Sequence, residues 1–390
     1  MHMKVAIIGQ KGIPATWGGV EVHVDNLSRQ LGSLGYEVVV YARKHYVTKA
    51  AAQDFMKQHS NVRIVFVPSI HTKHLDTISH TFFATVHALF QRVDVFHYQS
   101  VGPSLLAWIP RLLRPRAQVV STFHSPDRLH QKWGVFARTM LTLGEQASIR
   151  FANKTITVSR DLQRYVLNEY NAQAIYIPNG VNTVQYRRPS MITAEWGLQE
   201  QGYVLMVSRL VRHKGAHYLV KAFQGVETDK KLVIVGDSAQ TDDYVAELKA
   251  LAEGDDRIIF TGYQSGQILE ELFSNAYLYV QPSESEGLSV AVLEAGSYGL
   301  GVLTSDIPSN VELVQNKGFL FENRNVDNLR EQLAVCLSSE TAVEEAGRLL
   351  RSHVNANYHW SSVAQATQEV YEKQSPTVFA ESAAVSARMQ

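Results

Sequence analysis

The stretch YVLMVSRLVRHKG, residues 203–215, decides the fold, because it starts a second series of strands and helices in mid-chain. Its apolar, β-branched run ends in a polar loop that leads into a helix. The first such run is KVAIIG, residues 4–9, which a glycine-containing loop and a helix follow. Strands alternating with helices form parallel sheets covered on both faces. Two series that each begin anew predict an α/β protein with two Rossmann-like, doubly wound domains facing a cleft.

The same periodicity predicts the elements of each half. The first half should contain strands at 4–9, 37–42, 62–68, 94–99, 117–123, 154–159 and 174–178, with helices near 19–34, 77–92, 103–113, 134–151 and 160–170. The second should contain strands at 203–208, 231–236, 257–262, 276–282 and 301–305, with helices near 214–225, 241–253, 265–275, 289–298, 325–338, 340–353 and 360–374. We predict domains at 1–180 and 201–358, a linker at 181–200, a final helix at 359–374 and a disordered tail at 375–390.

Composition limits the classes of partner. Lys+Arg and Asp+Glu both number 37, so the chain exerts little long-range attraction on nucleic acid, and any anion site must be local. The single cysteine, Cys336, allows no internal disulfide and lies in an apolar run typical of a buried thiol. The amino end enters a strand without a signal-peptide pattern, and no apolar run reaches the ~18 residues of a membrane span. We therefore expect a cytoplasmic protein.

The strongest chemical signal is SESEGLSVAVLEAG, residues 283–296. A helix starting near Leu288 would place Glu286 in the preceding loop and Glu294 about a turn and a half inside. Glu294 would then be a carboxylate in a buried segment, which needs a protein or ligand partner. The amides of residues 287–289, Gly287, Leu288 and Ser289, would form an anion or hydroxyl site at the helix start. The structural alternative is that Glu294 pairs with an internal arginine and Glu286 is a solvated loop charge.

A second signal is SRLVRHKG, residues 208–215, at the end of a predicted strand. Ligands of doubly wound sheets bind beyond the carboxyl ends of strands, so Arg209 and Lys214 should face the crevice. A fork-shaped donor and a point charge together suit a diphosphate. The alternative is a pair of solvated loop cations.

Weaker signals lie in the first half. Gly18 and Gly19 stand where the first loop enters a helix, and glycines there allow close approach of a ligand to a helix amino end. The spacing is not G-x-G-x-x-G, which disfavours a nicotinamide oxidoreductase. His124 follows a predicted strand and should project into the same crevice. There is no D-x-D pair, so we expect neither metal nor cofactor, and Arg209 and Lys214 would neutralise a leaving diphosphate.

Together, GGVE (18–21), HSPD (124–127), IPNGV (177–181), SRLVRHKG (208–215) and EGLSVAVLEA (286–295) resemble the retaining glycosyltransferases of family 4, which have the GT-B fold. The resemblance covers about residues 3–374. The stretch IGQKGIPATWGGVE is further similar to a bacterial branch of rhamnosyltransferases and polysaccharide-assembly transferases. His124 is followed by Ser-Pro-Asp, where many relatives have Asp or Gly next, which leaves the acceptor side least defined.

The resemblance implies a role for each site residue. Arg209 and Lys214 would contact the donor diphosphate, Glu294 the ribose hydroxyls, and Glu286 with the amides of Gly287 and Leu288 the donor sugar. His124 would lie near C6 of that sugar. The loop with Gly18 and Gly19 would close over the phosphates and acceptor, and the helix from Trp360 would cross back onto the first domain. The implied substrates are a nucleotide sugar and a glycan or lipid-linked acceptor.

Other interpretations remain open from the sequence. One is another GT-B enzyme, such as a nucleotide-sugar epimerase or a sucrose-type synthase. Another is a catalytically silent sugar-nucleotide binder in an assembly complex. The run WIPRLLRPR, residues 108–116, is either a plain surface helix end, which we favour, or an interfacial patch for peripheral contact with a membrane.

Overall fold

The computed structural model describes residues 3–72, 75–126, 135–238, 241–377 and 379, without the side chains of residues 135–137. The chain divides into two compact units. The first comprises Met1–Gly180 and Trp360–Gln390, and the second comprises Val181–His359. Each unit is built around its own parallel sheet.

The first unit contains a seven-stranded parallel sheet with the order β3-β2-β1-β4-β5-β6-β7. Its strands are β1 (Lys4–Ile8), β2 (Glu37–Ala42), β3 (Val62–Phe66), β4 (Val95–Gln99), β5 (Gln118–Phe123), β6 (Lys154–Thr157) and β7 (Ile175–Tyr176). Its helices are α1 (Gly19–Ser33), α2 (Lys49–Gln58), α3 (Asp76–Leu89), α4 (Val101–Ser104), α5 (Trp108–Leu113), α6 (Val135–Arg150) and α7 (Arg160–Tyr170), and the C-terminal helix α16 (Trp360–Tyr371) joins them.

Apolar layers on both faces explain why the first sheet is parallel. In β1, Val5 and Ile7 belong to one core cluster, and Ala6 and Ile8 belong to another, because successive side chains point to opposite faces. The first cluster includes Trp360 and Tyr371 of α16, so the C-terminal helix is part of the core of the first unit. The carboxyl ends of the strands therefore lie at one edge of a sheet that helices cover on both sides.

The second unit contains a six-stranded parallel sheet with the order β10-β9-β8-β11-β12-β13. Its strands are β8 (Tyr203–Val207), β9 (Lys231–Val235), β10 (Ile258–Gly262), β11 (Leu278–Gln281), β12 (Gly301–Ser305) and β13 (Phe319–Phe321). Its helices are α8 (Met191–Trp196), α9 (Ala216–Gln224), α10 (Asp242–Leu251), α11 (Gly266–Ser274), α12 (Val290–Ser297), α13 (Pro308–Val314), α14 (Val326–Ser338) and α15 (Glu340–Asn357). The predicted α/β class with two doubly wound parallel sheets is confirmed.

Short elements account for the differences from the predicted pattern. The helices α2, α8 and α13 and the strand β13 were not predicted. The single helix expected at 103–113 is two helices, α4 and α5, and the helix expected from about Leu288 begins at Val290. The helices α8 and α13, with six and seven residues, have too few turns to show a period of 3.6, whereas α2 has ten residues and its omission has no such explanation.

Two further features concern the ends and the thiol. Cys336 is buried in α14, as predicted, and burial raises the pKa of its thiol to about 12. Of the predicted tail at 375–390, only residues 375–377 and 379 fall within the described part of the chain. Within the described residues, none of the helices has the length and apolar character that crossing a membrane would require.

Candidate functional site

The loop after β8 carries the two predicted cations of the second unit. Arg209 is exposed, and within the described residues its side chain has no ion pair. A short 3₁₀ turn, Arg212–Lys214, then leads to Gly215, whose φ is +75°. A Cβ atom on Gly215 would lie 1.9 Å from the carbonyl oxygen of Pro282, so only glycine fits here. This close approach brings the loop after β8 against the loop after β11.

Lys214 and Glu286 form an ion pair between these two loops. The ammonium Nζ of Lys214 lies 2.5 Å from Oε1 of Glu286, and their side chains are only 16% and 9% exposed. The same carboxylate oxygen accepts a hydrogen bond of 2.7 Å from the Ser283 hydroxyl. Glu286 is therefore a fixed group that orients Lys214, and the alternative of a solvated loop charge is wrong.

A chain of side-chain hydrogen bonds extends from this ion pair into the sheet. The Gln281 amide donates to Ser283 at 2.6 Å, and the Tyr279 hydroxyl donates to Oε1 of Gln281 at 2.6 Å. The Ser305 hydroxyl donates to the Ser283 carbonyl at 2.5 Å, and Ser309 donates to the Glu286 carbonyl at 3.2 Å. Because every link is bonded to another element, the ion pair has little freedom to move.

The chain of hydrogen bonds comprises residues that the sequence analysis missed. Tyr279, Gln281 and Ser283 stand two residues apart, along and just after β11. Positions two apart on a strand share one face, so polar side chains at this spacing in an apolar strand were the available signal.

Glu294 lies on α12, which Ser289 caps by accepting a hydrogen bond from the Val292 amide. Among the described residues no ion pair involves Glu294, so the predicted alternative of an internal arginine finds no partner there. Burial raises the pKa of its carboxyl group to about 7. Burial raises the pKa of the Tyr279 hydroxyl, and the negative charges of Glu294 and Glu286 raise it further. The two acids thus share one neighbourhood.

The backbone between Glu286 and α12 is buried at Gly287, Leu288 and Ser289. Because α12 begins at Val290, these residues form the approach to the helix and its cap rather than its first turn. Arg209 follows β8 and Glu286 follows β11, and these strands are hydrogen-bonded neighbours. The second unit therefore collects two cations and two acids at the carboxyl ends of adjacent strands, with a direct contact between Lys214 and Glu286.

The first unit holds His124 at the end of β5. Its Nε2 atom lies 2.8 Å from Oε1 of Gln99, and its ring packs edge-on against His23 at 4.8 Å between centroids. Nδ1 of His23 is 3.0 Å from Oδ1 of Asn179, and its ring also meets Trp360 at 5.4 Å. Burial lowers the pKa of His23 to about 4 and that of His124 well below its usual value. Both imidazoles are neutral near pH 7.

Gly18 is the N-cap of α1, with a φ of +105°, and Gly19 is the first residue of that helix. A Cβ atom on Gly18 would lie 2.0 Å from Oε2 of Glu21, so this carboxylate occupies the space beside the helix start. Oε1 of Glu21 accepts a hydrogen bond of 3.1 Å from the Lys11 amide. The negative charge that a helix amino end favours is supplied by Glu21 of the chain itself.

Two family models match the chain, one to each half. The model described as Glycosyltransferase Family 4 matches residues 17–185, and the one described as Glycosyl transferases group 1 matches residues 192–351. Together they cover more than four fifths of the chain. These two matches identify a glycosyltransferase, and the two parallel-sheet domains have the GT-B fold. The chain belongs to the family-4 glycosyltransferases, with a group 1 second half.

Full-length relatives have the same organisation. An uncharacterised glycosyltransferase of Methanocaldococcus jannaschii is 24% identical, over 95% of this chain and 98% of that protein. Sucrose-phosphate synthase from Thermosynechococcus elongatus superposes with a TM-score of 0.80 at 19% identity, over 95% of this chain and 99% of that one. HepE of Anabaena, solved in complex with UDP-glucose, superposes with a TM-score of 0.78 at 19% identity, over 95% of this chain and 100% of that one. These structures share the fold.

Proposed function

We propose that this glycosyltransferase moves a hexose or deoxyhexose from a nucleotide-diphosphate sugar to a hydroxyl of a glycan or lipid-linked glycan. Retention at the anomeric carbon and a role in bacterial cell-surface polysaccharide synthesis are part of the proposal. The observation that carries it is the pairing of Lys214 with Glu286 beside Arg209, at the carboxyl ends of β8 and β11. The UDP-glucose complex of the structurally similar HepE supports a nucleotide-sugar donor.

Each residue of the second unit has a chemical task in this proposal. Arg209 and Lys214 neutralise the diphosphate as the bond to the sugar breaks, and Glu286 holds the Lys214 ammonium in place before the donor arrives. Glu294 accepts hydrogen bonds from the ribose hydroxyls, which would give its desolvated carboxylate partners that the described residues do not provide. The amides of Gly287, Leu288 and Ser289 line the sugar side of the site.

Retention follows if the incoming hydroxyl attacks from the side that the diphosphate leaves. The diphosphate oxygen then takes the hydroxyl proton, the new glycosidic bond forms as the sugar–phosphate bond breaks, and no protein nucleophile is needed. His124, a neutral imidazole, hydrogen-bonds the sugar near C6 and carries no charge through the reaction. Since Arg209 and Lys214 supply the positive charge, we propose that no metal ion takes part in the transfer.

A screen of nucleotide sugars for thermal stabilisation tests the donor, because a ligand that binds only the native state raises the melting temperature. The best donor is then incubated with candidate acceptors, with and without a chelator, and the anomeric configuration of the product is read by NMR. A glycosylated product with the donor's configuration, unaffected by chelator, supports the proposal. An epimerised sugar nucleotide without acceptor, binding without turnover, or an inverted product would each contradict it.

We also propose peripheral membrane contact through a patch on α3, α5 and the residue after α3. Phe90, Leu112, Leu113 and Trp108 are 80%, 65%, 64% and 42% exposed, and Arg111 is exposed among them. Apolar side chains next to cations suit the interface of an anionic bilayer. Flotation with phosphatidylglycerol vesicles at low and moderate salt tests this. Replacing Leu112 and Leu113 by serine should abolish binding, whereas Leu167→Ser, a change at a leucine of α7 that is 50% exposed, should not. Equal flotation of both variants would contradict the patch.

A further inference from the structure

Three potential metal ligands meet on the first unit, and none of the three has a role in the proposed donor machinery. His45 follows β2, His71 follows β3, and Asp76 is the first residue of α3. One ligand atom from each side chain lies within 4.8 Å of the other two. Nε2 of His45 and Oδ2 of Asp76 are 3.4 Å apart. Neither the fold nor the transfer reaction accounts for bringing two histidines to this carboxylate.

The spacing suits a tetrahedral ion. With bonds of about 2.0–2.1 Å to nitrogen and oxygen, tetrahedral ligand atoms lie roughly 3.3–3.4 Å apart. The pair formed by His45 and Asp76 already has this separation. Both histidines are exposed at the surface, so a small rotation of the His71 side chain can close the remaining gap without disturbing the core.

A buried arginine, Arg43, fixes the Asp76 carboxylate. Nη1 of Arg43 donates to Oδ2 of Asp76 at 2.7 Å, and Arg43 is only 3% exposed, so the carboxylate is held in one orientation. Ligating carboxylates are commonly fixed by such outer hydrogen bonds.

We propose that His45, His71 and Asp76 bind one divalent first-row transition-metal ion of the zinc type. Two imidazoles and a carboxylate favour such an ion over Mg²⁺ or Ca²⁺, which prefer oxygen ligands. The three protein ligands leave a fourth position for water or for a group of another molecule. The ion would tie the end of β2 to the start of α3, and glycosyl transfer in the second unit's machinery does not require it.

Titration with Co²⁺ tests the site directly, because a low-symmetry Co²⁺ complex absorbs visible light. The probe is added to the full-length, tag-free chain after treatment with a chelator, and Zn²⁺ is then added as competitor. We expect one Co²⁺ per chain, displaced by one equivalent of Zn²⁺ and not by excess Mg²⁺. His45→Ala and His71→Ala should each weaken binding about 100-fold, at least as much as loss of an outer-shell partner.

Matched variants separate a built site from ordinary surface histidines. His59→Ala and His87→Ala remove partly exposed histidines of the same unit outside the cluster and should leave Co²⁺ affinity unchanged. Because Asp76→Asn also removes the partner of Arg43, its fold is checked by circular dichroism before its affinity is measured. Absence of saturable binding, or equal affinity in the chain with His45 and His71 both replaced, would overturn the proposal. Glycosyl transfer serves as an independent readout, since chelator should leave it intact.

Discussion

The two units differ in how they treat charge at the carboxyl ends of their strands. The second unit collects opposite charges there, with Lys214 and Glu286 in contact and Glu294 half-buried without an ion-pair partner in the described residues. The first unit places neutral imidazoles at the corresponding edge, with His23 and His124 packed against each other. One surface suits a charged group that must be neutralised, and the other suits an uncharged hydroxyl. On the proposed function, the charged groups serve the donor diphosphate, and the neutral His124 serves the hydroxyl groups of the donor sugar.

The largest expected effect comes from the cation of the charged unit. Lys214→Ala should lower kcat/KM for transfer about 10²–10³-fold, because one preorganised contact to a developing charge is worth that much. Arg209→Ala should act similarly. Lys221→Ala, a change of the same type on the solvent side of α9, is the control and should be neutral. Near-normal turnover in both Lys214→Ala and Arg209→Ala, measured with saturating acceptor, would contradict the proposal that these cations neutralise the leaving diphosphate.

Glu294→Gln should separate binding from stability. Loss of the carboxylate should weaken affinity for the free nucleotide diphosphate about 10–100-fold, the typical value of hydrogen bonds to a charged group. Calorimetric titration measures this, with Glu253→Gln, an exposed glutamate of the same unit, as control. Unchanged affinity would mean that Glu294 faces no ligand.

The same variant should melt higher than the parent at pH 8, and the difference should be much smaller at pH 5. The pKa of Glu294 in the folded chain, about 7, exceeds its unfolded value, so the folded state holds the proton more tightly. Its contribution to stability is therefore full below the unfolded pKa and is lost as pH rises through 7. Glutamine has no charge to desolvate and escapes this loss. Melting curves at the two pH values decide the matter, and an equal difference at both would contradict the shifted pKa.

An effect of the opposite sign belongs to the first unit, and it develops as pH falls. The pKa values of His23, His80 and His97 are lowered by burial to about 4, 4 and 3. The unfolded chain then binds more protons between pH 6.5 and 4, so these groups reduce stability progressively as pH falls through that window. Hydrogen exchange of the full chain at pH 6.5 and 4.5 should show protection lost earlier in β1, β4 and β5 than in β8 and β11. The opposite order would contradict the comparison, although His217, lowered to about 4, adds some acid sensitivity to the second unit.

Sequence reasoning was sufficient where chemistry and period coincide. The short apolar run of β1, followed by a glycine-containing loop, predicts a buried strand. The structure confirms this, because Val5 and Ile7 pack in one core cluster and Ala6 and Ile8 in another. Arg209 and Lys214 were predicted as site residues because ligands of doubly wound sheets bind beyond the carboxyl ends of the strands. The contact between Lys214 and Glu286 was not predicted, since it depends on two loops 72 residues apart whose approach is set by the clash-limited backbone at Gly215. Likewise, the contacts of Glu21 and His23 were not predicted, because the sequence of α1 has the pattern of an ordinary amphipathic helix and does not show what its amino end contacts.

The return of α16 to the first unit has a consequence for biosynthesis. The second unit, Val181–His359, is inserted into the first unit in sequence. Its first and last residues, Val181 and His359, form an isolated parallel bridge, so the inserted segment ends close to where it begins. Trp360 fills the space against Gly180, where a Cβ would lie 2.7 Å from its ring, and it supports His23. Because Trp360 and Tyr371 belong to the core of the first unit, that core can be completed only after the second unit and the twelve residues of α16 have been translated. A chain released early, at His359, would carry a complete second unit and an unfinished first one.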